Sequence, residues 1–230
     1  MEKIMINWGY VLILFILGII TYRRNALDLL GSLTMVLMGI IIIFSAGVNW
    51  LLLLIIFLVL SLLATRYSKS YKQSLGEFED RRTSKNVISN GIVAFMMAAF
   101  GGYYLPFAGG FIGAIATATA DTLASEIGVL QEPRLITTFQ KVAPGTDGAI
   151  SVLGTAVGIA GAFIIGISAY FLGVINNPFS AIIVSVISGT IGCFIDSFLG
   201  ATFERANILN NEHVNLIATI FGAIAGILLI

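Results

Sequence analysis

Charged side chains are scarce in this sequence, which has 10% charged and 58% hydrophobic residues. A soluble domain carries about 25% charged residues, so this composition cannot cover a water-facing surface. The mean hydropathy of +1.00 agrees with that conclusion. The formal net charge is zero, which removes the general electrostatic argument for binding a nucleic acid. We therefore expect an integral membrane protein, with the lipid bilayer as a partner and no nucleic acid.

Cysteine and histidine each occur once, as Cys193 and His213. A single cysteine in an apolar stretch excludes a disulfide framework and a cysteine-based metal site. One imidazole without a second histidine is also poor evidence for a metal centre, so we interpret His213 as a polar residue at a helix start. The first apolar segment lacks a basic lead-in and a small-residue cleavage site, and we interpret it as a retained helix.

Long apolar runs make up most of the sequence. A bilayer core of roughly 30 Å takes about 20 helical residues to span. On that measure we predict an all-α, polytopic bundle of about eight transmembrane helices. Their predicted ranges are 5–22, 28–46, 49–66, 87–105, 107–127, 150–175, 179–203 and 212–230.

The basic residues indicate a topology. With Lys3 set aside, the other eleven of the twelve Lys and Arg residues lie in the loops after the first, third, fifth and seventh predicted helices. Because short basic loops stay on the cytoplasmic side of a membrane, we expect those four loops in the cytoplasm and both termini outside. The predicted location is the cell membrane, with the polar site facing the cytoplasm.

The predicted helices are of two kinds. Those within residues 1–66 are rich in Leu and Ile and nearly free of internal polar residues, as expected for three packing helices. Residues 67–230 hold five helices rich in Gly, Ala, Ser and Thr, which allow close helix packing and leave room for a ligand. We expect the second region to be the catalytic half, with its loops in the cytoplasm.

Carboxylates lie near the ends of two of these five helices. Asp121 and Glu126 are near the end of the fifth predicted helix, and Asp196 is near the end of the seventh. Ionisable groups inside a membrane are costly and usually functional, although an acid that only bonds a neighbouring helix or caps a turn is the alternative. Hydroxyl side chains accompany the acids, at Thr122, Ser125 and Ser197.

A glycine-rich loop leads into the sixth predicted helix at residues 144–151. Glycines near a helix N-terminus expose backbone N–H groups, and the helix dipole favours an anion there. The loop thus has the logic of a phosphate cradle without the P-loop pattern, and a plain turn with a serine cap is the other interpretation. The residues expected to contribute are Arg134, Thr138, Lys141, Gly145, Thr146, Asp147, Gly148 and Ser151.

A basic segment precedes the fourth predicted helix, with Arg81, Arg82 and Lys85 beside Asn86 and Asn90. Asn86 and Asn90 are four residues apart and would face one way on a helix. Topology alone demands basic residues here, and they could touch anionic lipid head groups. If these basic residues lie next to the membrane carboxylates and the glycine-rich loop, they would instead bind phosphate, which is the other interpretation.

Five sequence strings together resemble a known family; they lie at 82–91, 120–128, 135–138, 142–151 and 196–202. Their order and spacing are similar to those of the phytyl-phosphate kinase family of integral membrane proteins, formerly a domain of unknown function. The resemblance covers the chain from the fourth predicted helix onward, and the first three helices only by hydropathy. Asn86 stands where many relatives have Gln, and Ala149 stands where many have Gly.

The resemblance implies a kinase that uses CTP to phosphorylate an isoprenoid monophosphate to the diphosphate. Phosphoryl transfer needs charge neutralisation and positioning more than covalent chemistry. Mg²⁺ is therefore the expected cofactor, with Asp121, Glu126 and Asp196 as its ligands. Arg and Lys residues would clamp the phosphates of the nucleoside triphosphate and the acceptor. The expected catalytic set is Asp121, Lys141 and Asp196.

Two other functions stay open at this stage. A secondary transporter also uses small-residue helices and intramembrane acids, although its site usually lies near the bilayer midplane. A membrane cytidylyltransferase would release pyrophosphate where a kinase releases CDP, and the sequence does not separate those two reactions.

Overall fold

The structure, a computed structural model, describes residues 8–76, 82–101 and 104–230. Lys3, Arg81 and the first residues of the predicted helix 5–22 lie outside the described residues. In the described part of the chain, the helices are α1 (Trp8–Arg23), α2 (Leu29–Ser45), α3 (Val48–Arg66), α4 (Lys69–Leu75), α5 (Ser84–Gly101), α6 (Leu105–Gly128), α7 (Val152–Phe171), α8 (Pro178–Leu199) and α9 (Asn211–Leu228).

These helices confirm the all-α, polytopic class. Five of them are long and apolar enough to cross a membrane, namely α3, α6, α7, α8 and α9. The α8 span includes the π-helical turn Gly200–Glu204, which continues that helix. α1 and α2 are apolar but shorter, and α5 completes the set of eight longer helices. Three predictions remain untested: the side of the membrane on which each helix end lies, the location of both termini outside, and the division into packing and catalytic regions at residue 66.

Polar caps define several helix starts within a few residues of the predicted ones. Asp28 Oδ1 accepts a hydrogen bond from the Gly31 N–H at 2.6 Å, which fixes the start of α2. Ser151 Oγ accepts from the Gly154 N–H at 3.0 Å at the start of α7. Such side-chain acceptors satisfy N–H groups that have no partner inside the helix, so the chain enters each helix at a defined residue.

α4 is an element that the sequence analysis did not predict. It forms inside the polar stretch after α3, and its Lys72 side chain is only 1% exposed. The Lys72 ammonium donates to the Ala64 and Thr65 carbonyl oxygens at 2.7 and 3.0 Å. It therefore satisfies carbonyl groups in the last turn of α3, which lack partners within that helix.

The segment between α6 and α7 contains a small antiparallel hairpin rather than an open loop. Its strands are β1 (Arg134–Leu135) and β2 (Ala149–Ile150), with Arg134 opposite Ile150. Leu135 is buried at 7% exposure, which anchors the hairpin against the end of the bundle.

α6 lies at the centre of the bundle, and small residues let its neighbours approach closely. A Cβ atom on Gly113 would overlap the carbonyl oxygen of Gly222 on α9, and one on Gly109 would overlap that of Gly226. Phe111 on the same helix packs against Trp50 of α3 with ring centroids 4.5 Å apart. Because α6 is enclosed in this way, its final turns have a fixed position at one end of the bundle.

Gly113→Ala should destabilise the protein because the added methyl group meets backbone, which can give way only if α6 and α9 separate. Overpacking of this kind costs about 1–3 kcal/mol, or about 2–12 °C in Tm for a chain of this size. Thermal unfolding in detergent measures the change. Gly91→Ala on α5 is the matched control, because its Cβ would meet only Met38 Cε at 3.5 Å and alanine favours the helix. Equal Tm values for the two variants would contradict the packing described above.

Candidate active site

A cavity of about 460 Å³ lies at the end of the bundle where α6 and α8 finish and α5, α7 and α9 begin. Its described lining is strongly acidic. Five carboxylates and two cationic side chains belong to it: Asp121, Glu126, Asp147, Asp196, Glu204, Lys72 and Arg82.

A close crossing of α6 and α8 brings two of these carboxylates together. A Cβ on Gly192 would overlap Thr117, and Thr117 Oγ1 donates to the Ser188 carbonyl oxygen at 3.1 Å. Asp121 lies one helical turn after Thr117 on α6, and Asp196 lies one turn after Gly192 on α8. Each acid is therefore on the same face of its helix as the residue at the crossing. Their carboxyl groups consequently lie close enough to interact with each other.

One oxygen of this pair has no protein donor. Asp196 Oδ2 is buried and finds no hydrogen-bond partner among the described residues. A buried polar atom without a partner is costly, and because Asp196 lines the cavity, a ligand bound there would satisfy it. A divalent cation is the ligand whose charge and oxygen preference match two adjacent carboxylates.

The pair suits a cation that is shared with a substrate. Mg²⁺ is held by one or two carboxylates and completes its coordination with water and phosphate oxygens. In the described residues, no group of three or more His, Cys, Asp and Glu side chains could hold a metal by itself. Asp121 and Asp196 therefore fit Mg²⁺ as the protein's share of such a site.

Glu126 faces a different set of partners. Its Oε2 lies 2.7 Å from the Lys72 ammonium, and its Oε1 lies 3.7 Å from the Arg82 guanidinium. Thr65 Oγ1 on α3 donates to the same carboxylate. Because these groups come from α3, α4 and the segment before α5, Glu126 ties those elements to the end of α6.

The glycine-rich loop packs against the end of α8. Gly145 and Gly148 have φ angles of +84° and +72°, which favour glycine. A Cβ on Gly148 would overlap the backbone N of Ala201 in the π-helical turn. This contact places Asp147 close enough to Glu204 for their charges to interact, so the loop contributes negative charge to the cavity.

Ser151 caps the N-terminus of α7, as expected if residues 144–151 form a plain turn with a serine cap. Besides accepting from Gly154, its Oγ donates to the Gly128 carbonyl oxygen at 3.1 Å. The hydroxyl thereby joins the start of α7 to the end of α6.

Most of the residues predicted from the sequence line this one cavity. They are Arg82, Asn86, Asn90, Asp121, Thr122, Ser125, Glu126, Gly145, Thr146, Asp147, Gly148, Ser151, Asp196 and Ser197. Sequence positions more than 100 residues apart thus meet at one end of the bundle.

Four predicted residues lie elsewhere, three of them because the hairpin carries residues 134–141 away from the cavity. Lys141 forms an ion pair with Glu132 at 2.7 Å, and both side chains are about 60% exposed. Arg134 donates to the Phe139 carbonyl oxygen at 2.9 Å. Thr138 is exposed nearby, and Lys85 lines a second surface depression, which shares Asn86 and Asn211 with the cavity.

Several lining residues were not assigned to a site by the sequence analysis. Lys72 was only one of many basic loop residues, and no local pattern distinguished it. Glu204 enters the cavity through the π-helical turn, which no sequence signal predicted. Asn215 is 7% exposed and donates to Asn211 Oδ1 at 3.0 Å, and the cluster of asparagines before α9 was the available signal.

Comparison with known proteins gives several matches. Residues 12–223 match the family described as integral membrane protein DUF92. An uncharacterized membrane protein of Methanocaldococcus jannaschii is 39% identical over 232 residues, which cover 100% of this chain and 96% of that protein. The chloroplastic protein VTE6 of Arabidopsis thaliana is 32% identical over 231 residues, covering 94% of this chain and 66% of that protein.

Protein PGR of Arabidopsis thaliana is 29% identical over 224 residues, which cover 84% of this chain and 77% of that protein. No solved structure matches the chain. The matches to the family and to these relatives confirm the resemblance stated from the five sequence strings. The chain belongs to the integral membrane protein family DUF92, the phytyl-phosphate kinase-like family that its motifs indicate.

Proposed function

We propose that this protein is a kinase that transfers the γ-phosphoryl group of CTP to an isoprenoid monophosphate, in the cavity around Asp121 and Asp196 at the cytoplasmic membrane surface. The observation that carries the proposal is the adjacent pair of carboxylates, one of them with a buried, unpartnered oxygen. Family membership supports the reaction class, and the location at one end of the bundle suits a lipid phosphate that meets a soluble nucleotide.

The charge of the cavity supports a requirement for divalent cations. Its lining has three more carboxylates than cationic side chains, and Lys72 is already paired with Glu126. An acidic lining repels the phosphates of CTP unless bound cations reverse the local charge. Mg²⁺ held by Asp121 and Asp196 would neutralise phosphate charge and orient the phosphate oxygens.

Arg82 is the side chain of the lining best suited to bind a phosphate directly. Its guanidinium donates to Thr65 Oγ1 at 3.2 Å and lies beside Glu126, and these contacts fix its direction at the edge of the cavity. Arginine presents several donors in one plane and binds phosphate oxygens in a bidentate manner. In this proposal Arg82 holds a phosphate opposite the carboxylate pair.

Asn86 positions the start of α5 next to Arg82. Its Oδ1 accepts hydrogen bonds from Thr83 N and Thr83 Oγ1, both at 2.9 Å. The carboxamide oxygen is therefore engaged in the protein, and we assign Asn86 a positioning role. Only its NH₂ group would be directed to a ligand.

The acceptor determines which groups the reaction needs. A phosphate monoester is already ionised near neutral pH, so it can attack without a strong general base. The described lining contains no histidine, and His213 lies outside it. A phosphoryl transfer requires positioning and charge neutralisation, which Arg82 and cations held by the carboxylates would supply.

The position of the acids bears on the transporter alternative. Asp121 is seven residues before the end of the 24-residue helix α6, or about 10 Å from that end. It lies about 7 Å past the middle of α6, but Glu126, Asp147 and Glu204 of the same lining lie near or beyond the ends of α6 and α8, whereas transporter sites usually lie at the midplane. The position of the cavity as a whole, at the end of the bundle, therefore favours an enzyme that works at the membrane surface.

Asp121→Asn and Asp196→Asn should each lower kcat by about 10³-fold, because a carboxamide keeps the shape but loses the charge that holds a cation. Turnover is measured with CTP, geranylgeranyl monophosphate and Mg²⁺, and the nucleotide products are identified. Glu132→Gln, an exposed acid outside the cavity, is the control and should retain full turnover. CDP as product supports the kinase, pyrophosphate indicates the cytidylyltransferase, and full turnover in either Asp variant contradicts the proposed site.

Arg82→Gln should raise the apparent KM for a phosphate substrate by about 10- to 100-fold, the range expected from losing a charge-assisted hydrogen bond. Lys141→Gln should change it less than about twofold, because Lys141 is exposed and paired with Glu132. Steady-state kinetics for CTP and for the acceptor measure both effects. A larger effect from Lys141→Gln would restore the phosphate cradle predicted from the sequence and remove Arg82 from the site.

A further inference from the structure

α7 and α8 are in close contact in the half of the bundle that lies away from the cavity. Ser185 Oγ on α8 donates to the Ala162 carbonyl oxygen on α7 at 2.6 Å. A Cβ on Gly166 would lie 2.9 Å from the Ala181 carbonyl oxygen, and one on Gly189 would lie 2.8 Å from Ala162 Cβ. The two helices leave no space for a ligand over this stretch.

Nearer the cavity the same two helices each pack against α6. A Cβ on Gly158 of α7 would lie 2.8 Å from the Ala120 carbonyl oxygen, whereas Gly192 of α8 lies against Thr117. The cavity occupies the space left between them. Its walls there are Thr155 and Ile159 from α7 and Thr190 and Phe194 from α8.

This part of the cavity reaches the surface that faces lipid. Ile159 and Phe194 line the cavity and are also 39% and 37% exposed. Each belongs to a row of exposed apolar residues along its helix, with Phe163 one turn from Ile159 and Phe198 one turn from Phe194. Residues of a lipid-facing row that also line the cavity mark a lateral opening between α7 and α8.

We propose that this gap, the α7–α8 slot formed by Thr155, Ile159, Thr190 and Phe194, binds the isoprenoid tail of the acceptor and admits it from the bilayer. The inference rests on the proposed function, and it adds the place and direction of tail binding. Thr190 Oγ1 donates to the Val186 carbonyl oxygen at 2.7 Å, so its hydroxyl is satisfied within α8 and need not be solvated. An apolar tail is the occupant that suits these walls.

The slot leads directly to the charged end of the cavity. From Thr190 to Asp196 the helix advances six residues, or about 9 Å, toward the paired carboxylates. The same molecule can therefore place its tail between α7 and α8 and its phosphate beside Asp121 and Asp196. Because the slot opens sideways, the rest of a long tail would lie in the bilayer.

Thr190→Phe tests the slot, because the aromatic ring would fill the space between the two helices. Its kcat/KM for geranylgeranyl monophosphate should fall about tenfold or more, with the KM for CTP unchanged. The kcat/KM for dimethylallyl monophosphate should change by less than about threefold, since its short tail ends before Thr190. Ile183→Phe is the matched control, because Ile183 is 47% exposed on α8 and lies outside the lining. Equal losses for both acceptors would overturn the slot.

Photo-crosslinking of the wild-type protein gives an independent readout that does not depend on how the variant folds. The probe is geranylgeranyl monophosphate with a diazirine on its tail, and the labelled peptides are identified by mass spectrometry. Labels of the wild-type protein on α7 and α8 support the slot. If those labels form but no phosphoryl transfer occurs, the slot stands and the kinase proposal fails. Labels confined to other helices overturn the slot even if the kinase is active.

Discussion

The crossing of α6 and α8 at Thr117 and Gly192 is the contact on which the site depends. Because Gly192 has no side chain, the two helices approach closely enough that the next turn of each brings Asp121 and Asp196 together. α9 and α7 pack against the same central helix through glycines, which fixes the end of α6 from other directions. The small residues of this sequence thus set the distance between two charged groups as well as the packing of the bundle.

The charged residues of the cavity lining form two groups, one around Glu126 and one around Asp196. Around Glu126, the cations Lys72 and Arg82 balance the carboxylate and hold α3, α4 and α5 to α6. Around Asp196 the carboxylates Asp121, Asp147 and Glu204 outnumber the cations, although Arg82 acts on Asp121, and one Asp196 oxygen lacks a partner among the described residues. A structural ion pair and the proposed cation site therefore lie side by side, and in this proposal the second depends on a ligand to offset its charge.

Much of this architecture could be predicted from the sequence because it follows from local patterns. Apolar runs predicted the eight longer helices, and acids and glycines near helix ends predicted residues that now line one cavity. The features that the sequence did not predict depend on contacts between residues far apart in the chain. The β1–β2 hairpin directs Lys141 away from the cavity, and Lys72 is buried between the end of α3 and Glu126, which lies 54 positions later. The π-helical turn that carries Glu204 also has no signal in the local sequence.

Binding of a paramagnetic cation addresses the paired carboxylates most directly. Mn²⁺ can replace Mg²⁺ at oxygen ligands, and its electron paramagnetic resonance spectrum separates bound from free ions. With CTP present, the wild-type protein and Glu132→Gln should bind Mn²⁺ with similar affinity, and Asp196→Asn should bind it about tenfold more weakly or not at all. Equal Mn²⁺ binding by all three proteins would show that Asp196 holds no cation, and the proposed site would then be wrong.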